Sequence, residues 1–306
     1  MSQPDTFAAL TVGTFDGVHR GHRLLLARVV AHAAAQKLRS VIVTFSPHPL
    51  EVVNPAAAPL LLTTEDEKGE ALADAGADQV VVLPFTSELS RLDAAQFVDQ
   101  VLVERLRVRS ILVGYDHGLG RGRSGDVDVL RGLGASRGFD VEVVPAVLGR
   151  DGRPVSSTSL RRAVAGGDLL RASDGLGRPY SASGVVLHGE ERGRSLGFRT
   201  LNLGAPSPRK LIPPEGVYAV RATTRTGTFG GMLNLGPRPT FGDKTTSLEV
   251  HLFEADGDWY GTRIRVEFLQ RLRDVRAFDG PAALVRQLHE DAEKARLVVA
   301  RVRAGI

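Results

Sequence analysis

The sequence predicts an α/β protein in which an open parallel sheet with helices is followed by an antiparallel β-barrel and a terminal helix. In the first half, short apolar runs alternate with segments of helical period, a pattern typical of parallel strands joined by crossover helices. In the second half, apolar and polar residues alternate with period two, as in half-buried antiparallel strands. A break rich in Gly, Pro and Ser at 174–183 separates the halves and predicts domains at 1–176 and 177–306.

The strands predicted in the first half are short and apolar. The first lies within Phe7–Thr14 and is followed by a helix from Gly21. A helix is also predicted at Ala94–Leu106, because Asp93 is placed to cap it and Gln96 follows three residues later. Four further buried strands are predicted at Ser40–Phe45, Gln79–Leu83, Ser110–Val113 and Val141–Val144.

The second half contains five segments of alternating character and one helix. The helix is opened by Pro281 and extends from Ala282 to about Val302, with apolar residues that we expect to face the barrel at Leu284, Leu288 and Ala292. The strands are predicted at Gly184–His188, Gly216–Thr223, Gly227–Leu235, Ser247–Glu254 and Arg263–Phe268.

The composition restricts the class of protein. With 306 residues, 42% of them hydrophobic and 24% charged, the chain is an ordinary globular protein. It has no Cys, which excludes thiolate catalysis, Cys-ligated zinc and disulfides. The 39 basic and 35 acidic residues leave a charge of only +4, and the arginines are scattered, so general nucleic-acid binding is disfavoured. No apolar run approaches the roughly 20 residues that cross a bilayer, and no secretion signal is evident, so we expect a cytoplasmic protein without a membrane partner.

A turn at residues 11–22 carries the strongest functional signal. Gly13 and Gly17 let the backbone approach a ligand closely, and a helix begins near Gly21. His19 and His22 lie at the start of this helix, where free N–H groups and the helix dipole attract phosphate. Two histidines on an exposed helix start are the alternative. The glycines and the change from strand to helix favour a site for the phosphates of a nucleoside triphosphate.

Three other segments of the first half are candidates for ligand binding. The hydroxyls of 156–159 and Arg161 stand at a helix start, as in a phosphate site or in an ordinary Ser/Thr cap. His48, between two prolines, follows a strand and lies either in a ligand site or in a rigid loop. The glycines at 120, 122 and 125 formally match a dinucleotide motif, but they are separated from their strand and are interpreted as a flexible loop. No G-x-x-x-x-G-K sequence is present, which excludes a Walker-type site.

The second half offers a phosphate loop, a metal site and a carboxylate. Thr200 and Asn202, two apart on an extended chain, direct their oxygens the same way and are suited to Mg²⁺, although a turn-rich hairpin is the alternative. Glu249 alternates with Leu248 and Val250; we expect it to point inward, as a paired structural acid or a catalytic base. The glycine-rich loop predicted to fold over phosphates contains Gly189, Gly193, Arg194 and Gly197.

These motifs, in this order and over nearly the whole chain, resemble the bacterial bifunctional riboflavin kinase/FMN adenylyltransferases, also called FAD synthetases. In the first half, G-x-F-D-G-V-H-x-G-H lies at 13–22, F-x-P-H-P at 45–49 and S-S-T-x-x-R at 156–161. In the second half, G-R-x-L-G-F-x-T-x-N lies at 193–202, N-x-G-x-R-P-T-F at 234–241 and E-V-H at 249–251. Gly216-Val217-Tyr218, Tyr260-Gly261, Arg273 and Phe278 fit the family as well.

The resemblance implies a Rossmann-like nucleotidyltransferase domain that transfers AMP from ATP to FMN, and a barrel that phosphorylates riboflavin with MgATP. It assigns catalysis to Glu249, His19 and His22, and Mg²⁺ to Thr200 and Asn202. Small molecules alone are the expected partners: ATP, riboflavin and FMN as substrates, FAD as product. The residues implied in adenylyltransferase ATP binding are Gly13, Thr14, Phe15, Gly17, Gly21, Ser157, Thr158 and Arg161. Those implied in flavin binding are His48, Asp116, Arg273 and Phe278.

The chain departs from the family at two places. The family usually has Phe-Pro-Thr-Ala-Asn where this chain has Arg199 and Leu201 around Thr200, so we expect a bulky leucine in the metal-binding turn. After the third strand, His117 and Leu119 stand where the family often has two aromatics, and weaker flavin stacking is expected. Two alternatives follow: the same fold with one active module, whose barrel only binds flavin, or a flavin- or RNA-binding regulator.

Overall fold

The structure is a computed structural model that describes residues 6–188, 198–204, 207–237, 246–255 and 257–303. The chain divides into two compact units, Met1–Ser157 and Thr158–Ile306. The domain boundary expected between 176 and 177 lies within the second unit, at the end of a helix, and stays a prediction.

A parallel sheet forms the core of the first unit. Its strands are β1 (Ala8–Val12), β2 (Arg39–Ser46), β3 (Gln79–Pro84), β4 (Val108–Gly114) and β5 (Asp140–Val144). They lie in the order β3-β2-β1-β4-β5, and every neighbouring pair is parallel. Leu10 at the centre of β1 is paired with Val41 on one side and Ile111 on the other. The predicted α/β sheet is confirmed.

Helices join these strands. They are α1 (Arg20–Gln36), α2 (Pro49–Val53), α3 (Glu65–Ala73), α4 (Ser87–Arg91), α5 (Ala94–Phe97) and α6 (Val127–Arg137). A further helix, α7 (Ser157–Ala165), follows β5 and begins at the last residue of the first unit. Short 3₁₀ turns occupy Pro55–Ala57 and Arg121–Arg123. Asp93 and Gln96 form the predicted cap of α5, each bonded to the other's backbone N–H. The helix predicted beyond α5 continues as a π-helical stretch, Val98–Val103.

The position of a strand in the sheet decides its burial. All five residues of β1 are buried, whereas most residues of β3 and β5 are partly exposed and Val82 is 52% exposed. The expectation that both were fully buried is wrong, because each is an edge strand with one neighbour. A short apolar run does not reveal where in the sheet its strand lies.

The switch in strand order at β1 and β4 positions the first candidate site. All five strands are parallel, so their carboxyl ends meet at one edge of the sheet. In open α/β sheets, ligands bind outside this edge where neighbouring connections leave in opposite directions. The turn after β1 begins at this switch point.

A closed antiparallel barrel forms the second unit. Its elements are α8 (Leu169–Leu176), β6 (Tyr180–Leu187), β7 (Leu201–Leu203), β8 (Gly216–Thr224), β9 (Gly227–Pro237), β10 (Thr246–Leu252), β11 (Arg263–Arg273) and α9 (Pro281–Arg303). The strands close in the order β10-β7-β6-β11-β8-β9. The predicted barrel and terminal helix are confirmed.

Apolar side chains from every second position fill the barrel. Leu201, Val220, Leu233, Val250 and Phe268 are at most 3% exposed. The opposite face of the wall carries other residues, and α9 covers part of it with Ala292 and Ala295, which pack against Ala219, Met232, Phe198 and Phe253. Leu288 joins the same cluster, as the helical spacing predicts.

Candidate active sites

The turn after β1 has a strained backbone. Phe15, Gly17 and Val18 have φ angles of 49°, 82° and 39°, and a β-branched residue such as Val rarely adopts a positive φ. The Asp16 carboxylate holds the turn, because it accepts hydrogen bonds from the backbone N–H groups of residues 62 and 63 at 3.0 Å each. The Thr63 hydroxyl accepts from Gly17 N–H at 3.1 Å. Strain of this kind is maintained at sites where the backbone must present groups to a ligand.

His19 and His22 lie together at the start of α1. Their rings are stacked, with centroids 3.6 Å apart, and His19 Nδ1 accepts the backbone N–H of His22 at 3.2 Å. The edge of Phe15 contacts His22 at 5.1 Å between centroids. A Cβ at Gly21 would lie 3.2 Å from the His19 ring, and one at Gly13 would lie 3.0 Å from the Phe15 ring. These two glycines therefore allow the rings to take these positions.

The two histidines are poorly suited to carry positive charge together. Burial, and then the neighbouring His19, lower the pKa of His22 well below its usual value, so this ring is neutral at pH 7. His22 Nδ1 is buried without a hydrogen-bond partner among the residues that the structure describes. A buried polar atom in this state is costly unless a ligand satisfies it. The neutral His22 ring can therefore act as a hydrogen-bond partner for an anion beside the amino end of α1.

The start of α7 lies against the same turn. The Ser157 hydroxyl donates to the backbone carbonyl of Asp16 at 2.9 Å, which places the first residue of α7 beside the strained turn. Thr158 and Arg161 follow on α7 and belong to the second unit. Of the predicted residues, the structure thus brings Ser157 to the turn, while the roles of Thr158 and Arg161 stay predictions.

A small cleft lies beside this turn, and its lining includes Thr14, Phe45, His48, Thr63 and Lys68. His48 caps α2, with Nδ1 accepting the N–H of residue 50 at 3.2 Å, so its ring is fixed as expected. The Lys68 ammonium donates to the Phe45 carbonyl at 2.7 Å. Burial lowers the pKa of Lys68, while nearby carboxylates oppose that shift. The cleft combines an aromatic wall with an ammonium, hydroxyls and an imidazole, and the carboxylates of Asp16 and Glu65 line it as well.

The loop after β4 carries Asp116 and the two residues, His117 and Leu119, that replace the aromatics of the family. Asp116 is exposed, as a ligand-binding residue can be, and its backbone carbonyl accepts from Arg123. Burial and Arg123 lower the pKa of His117 to about 4, so its ring is neutral at pH 7. Leu119 is only 6% exposed and packs in the apolar core beside the sheet. Because the Leu119 side chain is used for packing, it is not exposed to a ligand, and the weaker flavin stacking expected here stays a prediction.

A row of paired residues crosses the wall of the barrel. Glu249 on β10 is paired with Asn202 on β7 and with Asn234 on β9. Asn234 is paired with Val217 on β8, which in turn is paired with Arg273 on β11. Paired residues of antiparallel strands lie on the same face about 4.5–5.5 Å apart. The row therefore joins the predicted base to a predicted metal ligand and to a predicted flavin-binding residue.

Glu249 does not point into the barrel. Leu248 and Val250, its neighbours on β10, are 1% and 0% exposed and fill the interior, whereas Glu249 is partly exposed. The expectation of an inward carboxylate is wrong: the neighbouring positions of β10 place apolar side chains in the interior, where an unpaired charge would be costly. On the outer face Glu249 can meet a substrate that approaches from solvent.

The turn at 200–202, which is predicted to bind magnesium, accommodates its leucine. Leu201 is 3% exposed and lies inside the barrel, paired with Val250, so its bulk is directed away from the outer face. Thr200 and Asn202 flank it and are partly exposed, as their spacing predicts. The expectation that leucine crowds the turn is therefore wrong. Alternation places residues 200 and 202 on one face and residue 201 on the other.

Arg273 is fixed by a buried carboxylate. Its Nε donates to both oxygens of Asp291 on α9, at 3.1 and 2.9 Å, and Asp291 is 0% exposed. Gln287, one turn earlier on α9, donates to the same carboxylate at 2.9 Å. The Phe278 ring lies under two guanidinium groups, 5.6 Å from that of Arg273 and 5.0 Å from that of Arg276. The predicted flavin-binding pair is thus placed together and tied to α9.

Three residues of this site were not among the sequence candidates: Asn234, His251 and Asp291. Asn234 and His251 belong to motifs recognised in the sequence. Alternation along β10 already places His251 on the face that carries Glu249, whereas only strand pairing places Asn234 there. Asp291 had no signal beyond its place on an amphipathic helix. The predicted phosphate loop, Gly189, Gly193, Arg194 and Gly197, lies outside the described residues.

Comparisons with known proteins cover both units. The FAD synthetase family matches residues 2–159, and the riboflavin kinase family matches residues 176–299. A bifunctional riboflavin kinase/FMN adenylyltransferase from Pseudomonas fluorescens is 40% identical over 95% of this chain and 92% of its own length. A protein of the same name from Escherichia coli K12 is 37% identical over 96% and 93%.

A solved structure also matches along nearly the whole chain. It is described as a macrolide-efflux protein from Streptococcus pneumoniae, is 29% identical, covers 95% of this chain and 96% of its own, and has a TM-score of 0.84. In the described part of the present chain, every helix is too short or too polar to span a membrane.

Proposed function

The chain belongs to the family of bifunctional riboflavin kinase/FMN adenylyltransferases, and from this premise we propose which residues carry out its two reactions. The protein is an enzyme of FAD biosynthesis that phosphorylates riboflavin to FMN and adenylylates FMN to FAD. The first unit contains the FAD synthetase match and the barrel contains the riboflavin kinase match.

In the first unit, the turn after β1 binds the phosphates of ATP. The support is the stacked His19–His22 pair with a buried, unsatisfied Nδ1 on His22, at the positive end of α1. A phosphate oxygen of FMN attacks the α-phosphorus of ATP, and the bond to pyrophosphate breaks. With a second pKa of roughly 6, the FMN phosphate is already an anion at pH 7 and needs no base. His19, His22, Ser157 and Arg161 are assigned to positioning and to stabilising the charge on pyrophosphate.

The FMN of this reaction occupies the cleft beside the turn. Phe45 provides an apolar wall, and Lys68, Thr14 and Thr63 provide groups that can bond to phosphate or ribityl oxygens. His48 and Asp116, on the loops after β2 and β4, complete the flavin-binding residues at the same edge of the sheet.

In the barrel, Glu249 is the general base. The riboflavin hydroxyl that attacks the γ-phosphorus must lose its proton, and the Glu249 carboxylate accepts it as the oxygen–phosphorus bond forms and ADP leaves. The support is the position of Glu249 on the outer face, in one row with Asn202 and Arg273. Arg273 and Phe278 are assigned to binding the flavin.

Magnesium fits the outer face of the barrel. Thr200 and Asn202 would hold it through a hydroxyl and an amide oxygen, the hard oxygen donors that Mg²⁺ takes together with water and substrate phosphates. Among the described residues, no group of three His, Asp or Glu side chains is arranged to hold a metal, so the phosphates of ATP would complete its ligands. When bound, it neutralises charge on the transferring phosphate.

A product assay tests the proposal. The purified protein is incubated with riboflavin, ATP and Mg²⁺, and the flavins are separated by chromatography. We expect both FMN and FAD. FAD formed only when FMN is supplied would favour a protein whose barrel binds flavin without phosphorylating it, but the inward position of Leu201 argues against that alternative. The cytoplasmic location stays a prediction.

A further inference from the structure

His251 lies beside the proposed kinase site and has no assigned role. It is two residues after Glu249 on β10, so both side chains are on the outer face of the barrel. The ring is partly buried among aromatic side chains, with Phe198 at 5.1 Å and Phe253 at 5.8 Å between centroids. These contacts leave the imidazole little freedom to turn.

One hydrogen bond fixes the orientation of this ring. Its Nδ1 lies 2.8 Å from the backbone carbonyl oxygen of Arg199. A carbonyl can only accept, so Nδ1 carries the hydrogen. Burial, and to a smaller extent Arg296, lower the pKa of His251, whereas the bond to Arg199 opposes the shift. At pH 7 the ring is therefore neutral and protonated at Nδ1.

The carbonyl held by His251 belongs to the segment that precedes Thr200. Strand β7 has three residues, and its pairing with β10 runs from Leu201 to Leu203. Arg199 and Thr200 thus precede the part of the chain that is hydrogen-bonded to β10, the pairing that places Asn202 opposite Glu249. The bond from His251 extends this fixation to the backbone that carries the Thr200 hydroxyl.

We propose that His251 is a positioning residue of the kinase reaction, which holds the Thr200–Asn202 segment beside Glu249 so that the Thr200 hydroxyl and the Asn202 amide oxygen are placed where they would hold the magnesium ion of MgATP. The inference rests on the proposed function of the barrel. His251 touches no reacting atom in this assignment, and its effect passes through the Arg199 carbonyl.

Three variants of the full chain separate this role from simple packing. His251→Asn keeps an N–H close to the position of Nδ1 and should preserve the bond to the Arg199 carbonyl. His251→Gln carries the same amide one carbon farther out and should lose that bond. His251→Leu keeps the bulk of the side chain but has no hydrogen-bond donor. In the kinase reaction we expect the Gln and Leu variants to raise the KM for MgATP by about three- to tenfold, as for one lost hydrogen bond, with kcat within about twofold. The Asn variant should stay close to the wild type.

A measurement on the free protein gives a second readout. Backbone amide hydrogen exchange in peptides covering 198–204 should be faster in the Gln and Leu variants and unchanged in the Asn variant. FAD formation from supplied FMN, a reaction of the other unit, should be the same in all four proteins. Trp259 fluorescence during urea unfolding shows whether the second unit, which carries the substitutions, is folded in each.

Equal KM values in all four proteins would overturn the inference, as would a loss confined to kcat or a failure of Asn to preserve function. A wild-type protein that forms no FMN from riboflavin would instead overturn the proposed kinase function, and the inference with it. In that case the exchange data would still report whether His251 orders the segment.

Discussion

Glu249 on β10 is paired directly with Asn202 on β7, so the proposed base and a proposed magnesium ligand are neighbours on the outer face of the barrel. This pairing is set by the strand ladder and does not depend on a mobile loop. It brings together two residues that are 47 positions apart in the sequence. Both reactions of the enzyme can be assayed separately, so each unit serves as a control for the other.

Replacing Glu249 by Gln should stop FMN formation and spare FAD formation. The amide keeps the size of the side chain but cannot accept the proton of the riboflavin hydroxyl, so we expect a loss of about 10²–10⁴-fold in kinase kcat. Glu267→Gln is the matched control, since that carboxylate lies on β11 in an ion pair with Arg221. Equal losses of FMN and FAD formation in the Glu249 variant would contradict the modular assignment.

His22→Ala should have the reverse effect. Removing the ring that we propose to bind phosphate at the turn should lower the rate of FAD formation from FMN by about 10²-fold, while FMN formation is retained. His32→Ala, on the same helix but bonded to Ser110 and Glu142, is the control. Unchanged FAD synthesis in the His22 variant would remove this ring from the mechanism.

Thr200→Val should weaken the response to magnesium. Valine has the shape of threonine without the hydroxyl, so the concentration of Mg²⁺ that gives half-maximal FMN formation should rise by about tenfold or more. This half-maximal Mg²⁺ concentration is measured by titrating the kinase reaction with MgCl₂ at a fixed ATP concentration. A variant with the wild-type magnesium dependence would show that the Thr200 oxygen is not a ligand.

His117 should make the first unit less stable in mild acid. Its pKa is about 4 in the folded protein and about 6.5 when unfolded, so between these values the unfolded chain binds more protons. Stability is fully present above pH 6.5 and falls as the pH drops toward 4, by at most about 3 kcal/mol.

The variant His117→Asn should lose less stability over that range, because asparagine does not titrate. Urea unfolding followed by circular dichroism at pH 7 and pH 4.5 compares the two proteins. Trp259, the only tryptophan, lies in the barrel, and its fluorescence reports on the second unit as a control. Parallel pH profiles for both proteins would rule out this source of acid sensitivity.

Asp291→Asn should affect flavin binding in the barrel. The buried Asp291 carboxylate accepts hydrogen bonds from Arg273 through both of its oxygens. An asparagine amide has one oxygen and no charge, so it replaces only part of these bonds. We therefore expect the free energy of unfolding of the second unit to fall by about 1–3 kcal/mol. The KM for riboflavin should rise more than the KM for MgATP, because Arg273 and Phe278 share one segment. Steady-state kinetics with each substrate varied, together with Trp259 fluorescence during unfolding, tests both effects. A larger change for MgATP would separate Asp291 from the flavin site.

The sequence alone predicted much of the first unit. Glycines and two histidines between an apolar strand and a helix identified the turn at 13–22, because that local pattern depends on residues close together in the chain. The stacking of His19 on His22 follows the same local logic, since both lie within one helical turn. The alternation of apolar residues in β10 likewise identified two faces, with Leu248 and Val250 on one and Glu249 on the other.

Only the tertiary structure decided which face of the barrel each residue occupies and what it meets there. The alternation of apolar and polar residues shows which residues of a strand share a face. Which of the two faces lies inside is decided only when the six strands close into a barrel and the pairing register between neighbouring strands is fixed. Closure placed Leu201 inside and Glu249 outside, against the sequence-based expectations. It also aligned Asn202, Glu249, Asn234 and Arg273, and set Asp291 against Arg273, because these contacts join residues that are distant in the chain and leave no local pattern.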